Sequence, residues 1–158
     1  MGGRIPLPFS SLRYLAIDLG DKRTGLAVGD SITGVAAPLD VVEVPASERA
    51  GAALLDALAA AIANQLGTSV GELVVGLPLN MDGTDSPRAK LARDFAVRLA
   101  ERTGRVVHLH DERLSSAAAD WTMSQSGLTH AQKKARRDAL AAAAVLTDFL
   151  KTLPRPPS

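Results

Sequence analysis

The amino-acid sequence predicts an α/β fold in which a mixed sheet is covered by helices. Three short apolar segments near the start of the chain are separated by turn residues, which is typical of consecutive antiparallel strands. Later apolar segments alternate with long Ala- and Leu-rich segments, which indicates a β-α-β-α-β arrangement with parallel strands. Aromatic residues make up only 3% of the chain, so we expect an aliphatic core.

The antiparallel start contains three predicted strands. Residues 13–19 and 24–30 are apolar runs. Residues 20–23 lie between them and supply turn residues, so the two runs should form a hairpin. A third strand is predicted at 38–44, after the break at Pro38.

The middle of the chain is predicted to alternate between helix and strand. An Ala- and Leu-rich helix covers 48–66, with Ser47 as its N-cap and Gly67 as its end. The continuous apolar run at 72–77 predicts a strand that is buried on both faces. A polar loop follows at 79–86.

The last part of the chain is predicted to be mostly helical. Pro87 suits the first turn of a helix that runs to about residue 102, and Gly104 stops it. The remaining predicted elements are a strand at 105–110, a helix at 115–123, a mobile loop at 124–132 and a last helix at 133–153.

Composition narrows the class of protein. A chain of 158 residues favours one domain, which we place at 13–153, after a flexible lead at 1–12 and before a Pro-rich tail at 154–158. The net charge is +1, so binding to a polyanion must depend on local patches. The absence of cysteine excludes disulfides and thiolate metal sites. No signal peptide or membrane-length apolar run is recognisable, so the expected location is the cytoplasm.

Acidic residues occur at positions where burial alone would not favour them. Asp18 interrupts an apolar run, Asp111 and Glu112 follow the strand at 105–110, and Asp138 opens the apolar part of the last helix. Neighbours at a strand end point to opposite faces, so only Glu112 or Asp111 can join a shared site, and we choose Glu112. Three converging carboxylates without a positive partner would require a divalent cation, and oxygen ligands suit magnesium or manganese.

These acids also have structural interpretations. Asp18 could cap the following turn, and Asp111 could cap a helix that begins near Leu114. The histidines lack the close spacing of a zinc site, so we interpret them as structural.

Several polar and basic side chains are candidates for substrate contact. The run at 133–137 carries four cations near a predicted helix start, where positive charge is unfavourable, so its placement suggests that it binds an anion. The turn at 20–23 and the loop at 79–86 could instead be purely structural, and Arg113 could pair with an acid. The predicted substrate contacts are Lys22, Arg23, Asn80, Thr84, Arg113, Ser115, Lys133 and Lys134.

Four sequence blocks together resemble a known family. They are Ala-Ile-Asp-Leu-Gly-Asp-Lys-Arg-Thr-Gly-Leu-Ala-Val-Gly, Val-Val-Gly-Leu-Pro-Leu-Asn-Met-Asp-Gly-Thr, His-Asp-Glu-Arg-Leu-Ser-Ser and Arg-Asp-Ala-Leu-Ala-Ala, and they span about residues 13–151. In order and spacing they resemble the pre-16S ribosomal RNA nuclease family, called YqgF or RuvX, whose members are Holliday-junction-resolvase-like. Thr24 and Arg137 stand where that family usually has apolar residues.

The resemblance implies a ribonuclease-H-like fold with a mixed five-stranded sheet. It implies a metal-dependent nuclease that matures the end of 16S rRNA, with Asp18, Glu112 and Asp138 as catalytic residues that hold magnesium or manganese. Pre-rRNA, branched or single-stranded DNA and a ribosomal particle are the expected partners of a monomer or homodimer. The alternatives are a DNA-resolving nuclease and a non-catalytic nucleic-acid-binding module. A sugar-kinase-like or actin-like ATPase would need a duplicated domain, for which the chain is too short.

Overall fold

The computed structural model describes residues 12–113 and 130–154, apart from the side chains at 130, 131 and 133–135. The strands are β1 (Arg13–Asp18), β2 (Thr24–Asp30), β3 (Ala36–Val42), β4 (Gly71–Leu77) and β5 (Val107–Asp111). The helices are α1 (Ala52–Leu66), which follows a 3-10 turn at Glu48–Gly51, α2 (Pro87–Thr103) and α3 (His130–Leu150).

The strands form one five-stranded sheet in the order β3-β2-β1-β4-β5. The hairpin of β1 and β2 is antiparallel, and β3 continues the antiparallel part. In contrast, β4 lies parallel to β1, and β5 lies parallel to β4. The predicted mixed sheet is therefore confirmed. The three parallel strands β1, β4 and β5 end at Asp18, Leu77 and Asp111, so these residues lie side by side at the carboxyl ends of the strands.

Each face of the sheet has its own apolar core, because side chains alternate along a strand. On one face, Leu15 and Ile17 of β1 pack with Leu58 of α1 and Leu99 of α2. On the other face, Ala16 belongs to a smaller core with residues of α3 such as Ala142 and Leu146. The small residues of α3 allow the helix to lie close to the strands.

One glycine shows how close this approach is. A Cβ atom placed on Gly25 of β2 would lie 1.8 Å from the carbonyl oxygen of Asp138. Only glycine leaves room for the backbone of α3 at this point, so the sequence at position 25 determines where the start of the last helix can rest on the sheet.

The limits of several elements differ from the sequence prediction, among them the start of β5, which is Val107 and not residue 105. Strand β3 begins two residues earlier and contains Pro38, which an edge strand tolerates because one side of its backbone has no strand partner. Helix α1 begins at Ala52, since Arg49 and Ala50 take positive φ angles. The side chain of Ser47 accepts no capping hydrogen bond. Helix α3 already includes 130–132, which were predicted as loop.

Other predicted segments lie outside the described residues. These are the lead up to residue 11, the helix at 115–123, the first part of the loop at 124–132 and the end of the tail. Within the ranges that the structure describes, no helix has both the length and the apolar character needed to cross a bilayer.

The two departures from the family pattern have different surroundings. Arg137 is exposed on α3. Thr24 is completely buried at the start of β2, on the same face as Leu26. Its Oγ1 atom has no hydrogen-bond partner in the described part of the chain. An unpaired buried hydroxyl destabilises the folded state.

Candidate active site

Two of the predicted acids meet at the carboxyl ends of β1 and β5. Asp18 ends β1, and Glu112 directly follows β5, with its backbone N–H donating to the Leu77 carbonyl at 3.2 Å. Their carboxyl groups share a hydrogen bond. Both face α3, because Ala141 and Val145 of that helix line the same cleft, which has a volume of about 290 Å³.

Gly76 makes this meeting possible from the strand between them. A Cβ atom on Gly76 would lie 2.7 Å from Oε2 of Glu112 and 3.7 Å from Oδ1 of Asp18. Because β4 separates β1 from β5, a side chain on this face of β4 would occupy the space where the two acids now touch. The absence of a side chain at Gly76 therefore leaves room for the two acids to meet.

The pKa of Asp18 is raised well above its ordinary value. The main cause is burial, which disfavours the charged carboxylate, followed by the negative charge and hydrogen bond of Glu112. Asp138 raises the pKa further through its charge, and Arg88 acts in the opposite direction. Negative charge on Asp18 therefore destabilises the folded protein, and a cation bound in the cleft would offset this destabilisation.

The third predicted acid lies beside this pair with a cationic partner. Asp138 is on α3, and its Oδ2 atom accepts a hydrogen bond from Nε of Arg23 at 2.8 Å. The expectation that no positive side chain joins the acids was therefore wrong at this position. Within the described ranges, no group of three or more His, Asp or Glu side chains has a spacing ready to hold a metal ion.

Asp111 and Glu112 point in different directions, as expected for neighbours in an extended chain. Asp111 pairs with Arg113, whose Nη2 atom lies 2.6 Å from Oδ2 of the acid. Hydrogen bonds from Arg113 lower the pKa of Asp111. Arg113 also reaches across to the loop after β4, where its Nη1 atom donates to the carbonyls of Asn80 at 3.3 Å and Met81 at 3.1 Å.

The polar residues of that loop bind mainly to one another. Nδ2 of Asn80 donates to Oγ1 of Thr84 at 3.0 Å and to the Asp85 carbonyl at 3.3 Å. Thr84 in turn donates its N–H and its hydroxyl to Oδ1 of Asp82. Ser86 then caps α2 by accepting from the N–H of Ala89. These contacts give the loop a fixed shape beside the cleft.

Arg88 is a basic residue near the site that sequence reasoning missed. It lies in the first turn of α2, and its Nη2 atom donates to the Leu19 carbonyl at 3.3 Å. It lines a larger cavity of about 590 Å³ between α2 and the turn before α1, which does not contain the acids. Nothing in the local sequence indicated that Arg88 would influence Asp18, because the contact depends on how α2 rests against the end of β1.

The structure describes only some of the other predicted substrate contacts. Lys22 is exposed in the turn between β1 and β2. Lys133 and Lys134 lie in the first turns of α3, but their side chains are outside the described set, as is all of Ser115. Two histidines pair with acids, His108 with Glu72 and His110 with Asp148, each at 2.7 Å. The side chain of His130 is outside the described set.

Comparison with known proteins agrees with this architecture. A family model described as "RuvX: Holliday junction resolvase" matches residues 12–152. A protein from Anaeromyxobacter sp. strain Fw109-5, named "Putative pre-16S rRNA nuclease", is 42% identical over 88% of this chain and 96% of its own length. A protein of the same name from Pelotomaculum thermopropionicum is 37% identical over 92% of this chain and 90% of its own.

A solved structure shows the same fold. RuvC of T. thermophilus, in complex with a Holliday junction substrate, superposes with a TM-score of 0.51 at 18% identity, over 88% of this chain and 93% of that one. The predicted ribonuclease-H-like fold is confirmed by this likeness.

Proposed function

This chain belongs to the RuvX family of nucleases, and we propose that it is a metal-dependent enzyme that hydrolyses phosphodiester bonds in the 16S rRNA precursor. The observation that carries the proposal is the contact between Asp18 and Glu112 above Gly76. A fold that required only burial would not bring two acids together at the ends of parallel strands. The names of the relatives support rRNA precursor as the substrate.

The donor set of the cleft fits a hard divalent cation, magnesium or manganese. Two carboxyl groups that share a hydrogen bond need a proton between them, and a cation can replace that proton. Asp18 and Glu112 would hold the cation, and Asp138 would join them if its carboxylate turned away from Arg23. When bound, such a cation supplies positive charge that stabilises the attacking and leaving oxygens of a phosphodiester.

The protein's own residues would orient the substrate around these acids. Arg23 fixes the carboxylate of Asp138 at 2.8 Å and would keep it beside the cleft until a cation competes for it. Lys22, Lys133 and Lys134 would hold the phosphates on either side of the scissile bond, because charge on the rest of the surface nearly cancels.

Loop residues would assist this orientation. Asn80 and Thr84 would act mainly by shaping the loop beside the cleft, and Arg113 would hold that loop against the end of β5. Ser115 would contact the substrate at the start of the segment that follows. In this proposal the enzyme acts in the cytoplasm, on free precursor or on a ribosomal particle, as a monomer or a homodimer.

A DNA-resolving activity is the second candidate. The family description names a Holliday junction resolvase, and the fold is that of RuvC. The acids of the cleft would serve either substrate, because the chemistry at the phosphodiester is the same. The two candidates therefore differ in the substrate that fits and not in the catalytic residues.

The decisive experiment compares substrates and variants. A labelled 16S precursor fragment, single-stranded DNA and a four-way junction would be incubated with the protein, with and without manganese. We expect manganese-dependent cleavage of the RNA that Asp18→Asn abolishes and Asp40→Asn, a change at an exposed acid on β3, leaves intact. Cleavage that is faster on the junction would favour the second candidate. Binding without cleavage under every condition would contradict both and identify a binding module.

Metal binding has a separate readout. Manganese should raise the melting temperature of the wild type, because a ligand that binds the native state stabilises it. The triple variant Asp18→Asn/Glu112→Gln/Asp138→Asn should lose this shift. An equal shift in both proteins would mean that the ion binds elsewhere.

A further inference from the structure

The loop that follows β4 presents one apolar side chain to solvent at the edge of the cleft. Met81 has 94% of its surface exposed, the largest fraction among the exposed large apolar residues of the described ranges. An exposed Met on a disordered tail would carry no information. Met81 instead lies in a turn whose backbone is fixed at several points.

The turn is held from within and from outside. Within it, the N–H of Asn80 donates to the Thr84 carbonyl at 2.8 Å, and the N–H of Gly83 donates to the Asn80 carbonyl at 2.9 Å. From outside, Nη1 of Arg113 donates to the carbonyl of Met81 itself at 3.1 Å. Because these three hydrogen bonds fix the backbone of the turn, the fold holds the Met81 side chain in an exposed position.

The loop that carries Met81 is connected to the cleft. Arg113, which binds the Met81 carbonyl, lines the same cleft as Asp18 and Glu112. Leu79, two residues before Met81, also lines that cleft. A strand whose phosphate reached the acids would therefore pass its neighbouring bases close to Met81.

The composition of the surface indicates what Met81 would contact. The net charge of +1 offers little general attraction to a polyanion, so contacts to bases gain importance. Proteins that bind unpaired strands usually use exposed aromatic rings for this purpose. In the described ranges the aromatic rings are buried: Tyr14, Phe95 and Phe149 are 5–7% exposed. Among the exposed large apolar residues of the described ranges, Met81 is the one that lies on the loop beside the cleft.

We propose that Met81 is a wedge that contacts the face of a nucleobase next to the scissile phosphate and separates it from its neighbour in the stack. Apolar side chains, Met included, act in this way when they insert between base steps. The proposal rests on the proposed nuclease function and adds the substrate class: strands in which the base step beside the cleavage site is unpaired or easily unstacked.

The test uses a fluorescent base in a catalytically inactive protein. 2-Aminopurine would be placed in turn at each position of a short single-stranded RNA fragment, and Asp18→Asn protein would be added. We expect fluorescence to rise at one position, because unstacking relieves quenching. Met81→Ala in the same background should abolish the rise and weaken binding about tenfold, an effect of the order found when one base contact is removed. Met81→Leu should retain both, and Val70→Ala, which changes a remote residue that is 79% exposed, should behave like its parent.

Wild-type cleavage separates this proposal from the one on which it rests. A fluorescence rise that Met81→Ala removes supports the wedge, even if the wild type cleaves no RNA and the nuclease proposal fails. No rise at any position, or a rise that Met81→Ala leaves unchanged, overturns the wedge, even where the wild type cleaves normally. If Met81→Ala binds RNA normally and loses only association with a ribosomal particle, Met81 is a protein contact and the proposal is likewise overturned.

Discussion

Gly76 offers a direct test of whether the position of Glu112 matters for catalysis. Gly76→Ala adds one methyl group on the face of β4 between the two acids. The glycine does not have a positive φ angle, so alanine can adopt its backbone conformation. Replacing a strand glycine by alanine gains about 0.5–1 kcal/mol in unfolding free energy from the backbone. The substitution should therefore not unfold the protein.

The size of the effect follows from the local distances. The new Cβ would lie 2.7 Å from Oε2 of Glu112, whereas ordinary contact begins at 3.4 Å, so the oxygen must move by about 0.7 Å. Glu112 can move because the clash is with the end of a flexible side chain. Misplacement of a catalytic group by about 1 Å can lower the rate about 100-fold. We expect cleavage at saturating substrate to fall by about ten- to a hundredfold, with the melting temperature almost unchanged.

Gly25 provides the matched comparison, because it lies on the same face of the sheet. Gly25→Ala would place a Cβ 1.8 Å from a backbone oxygen of α3, which cannot rotate away. This variant should lose several degrees of melting temperature or fail to fold, as expected for overpacking. Manganese-dependent cleavage and thermal melts of both variants test the reasoning. Wild-type activity in Gly76→Ala, or a melting temperature as low as that of Gly25→Ala, would refute it.

Other side chains give further predictions. Thr24→Val should raise the unfolding free energy by about 1 kcal/mol, since it removes an unpaired buried hydroxyl. The melting temperature should rise by about 2–4 °C. The control Thr103→Val removes a hydrogen-bonded hydroxyl and should lower the melting temperature. In chelator, urea titrations should show that the contribution of Asp18 to stability falls as pH rises above about 4, because its pKa is higher in the folded protein than in the unfolded chain. Asp18→Asn should remove this part of the pH dependence. Glu112→Gln should abolish cleavage, whereas Asp111→Asn should mainly lower the melting temperature.

The contrary outcomes are equally specific. A lower melting temperature in Thr24→Val would mean that the hydroxyl has a partner outside the described residues. A wild-type pH profile that Asp18→Asn does not change would mean that burial of this acid is less costly than its surroundings indicate. Loss of cleavage in Asp111→Asn, with activity retained in Glu112→Gln, would mean that Asp111 and not Glu112 is the catalytic acid.

The sequence predicted the elements whose signals are local. The hairpin of β1 and β2 and the buried strand β4 follow from apolar runs bounded by turn residues. The sequence also placed Asp18 and Glu112 at the ends of two apolar runs, although it did not show that β4 lies between those strands. The start of α1 was missed because Arg49 and Ala50 take positive φ angles, which neither residue type favours.

Contacts between distant parts of the chain could not be predicted from local pattern. Arg23 and Asp138 are separated by 115 positions, and either could have been a solvent-exposed charge or a substrate contact. The reason for glycine at position 76 is visible only when β5 lies beside β4. The sequence alone suggested the acids of the candidate site, and the fold determined which of them face one another.

The placement of the third acid depends on the hairpin more than on the helix that carries it. Gly25 gives the backbone of Asp138 room to lie against β2, and Arg23, two residues earlier, binds its carboxylate. Asp18, at the other end of the same turn, supplies the first acid. One short segment therefore sets both the distance and the charge balance between two of the three acids. A change in this hairpin should alter metal affinity even where all three carboxylates are retained, because a cation must compete with Arg23 for Asp138.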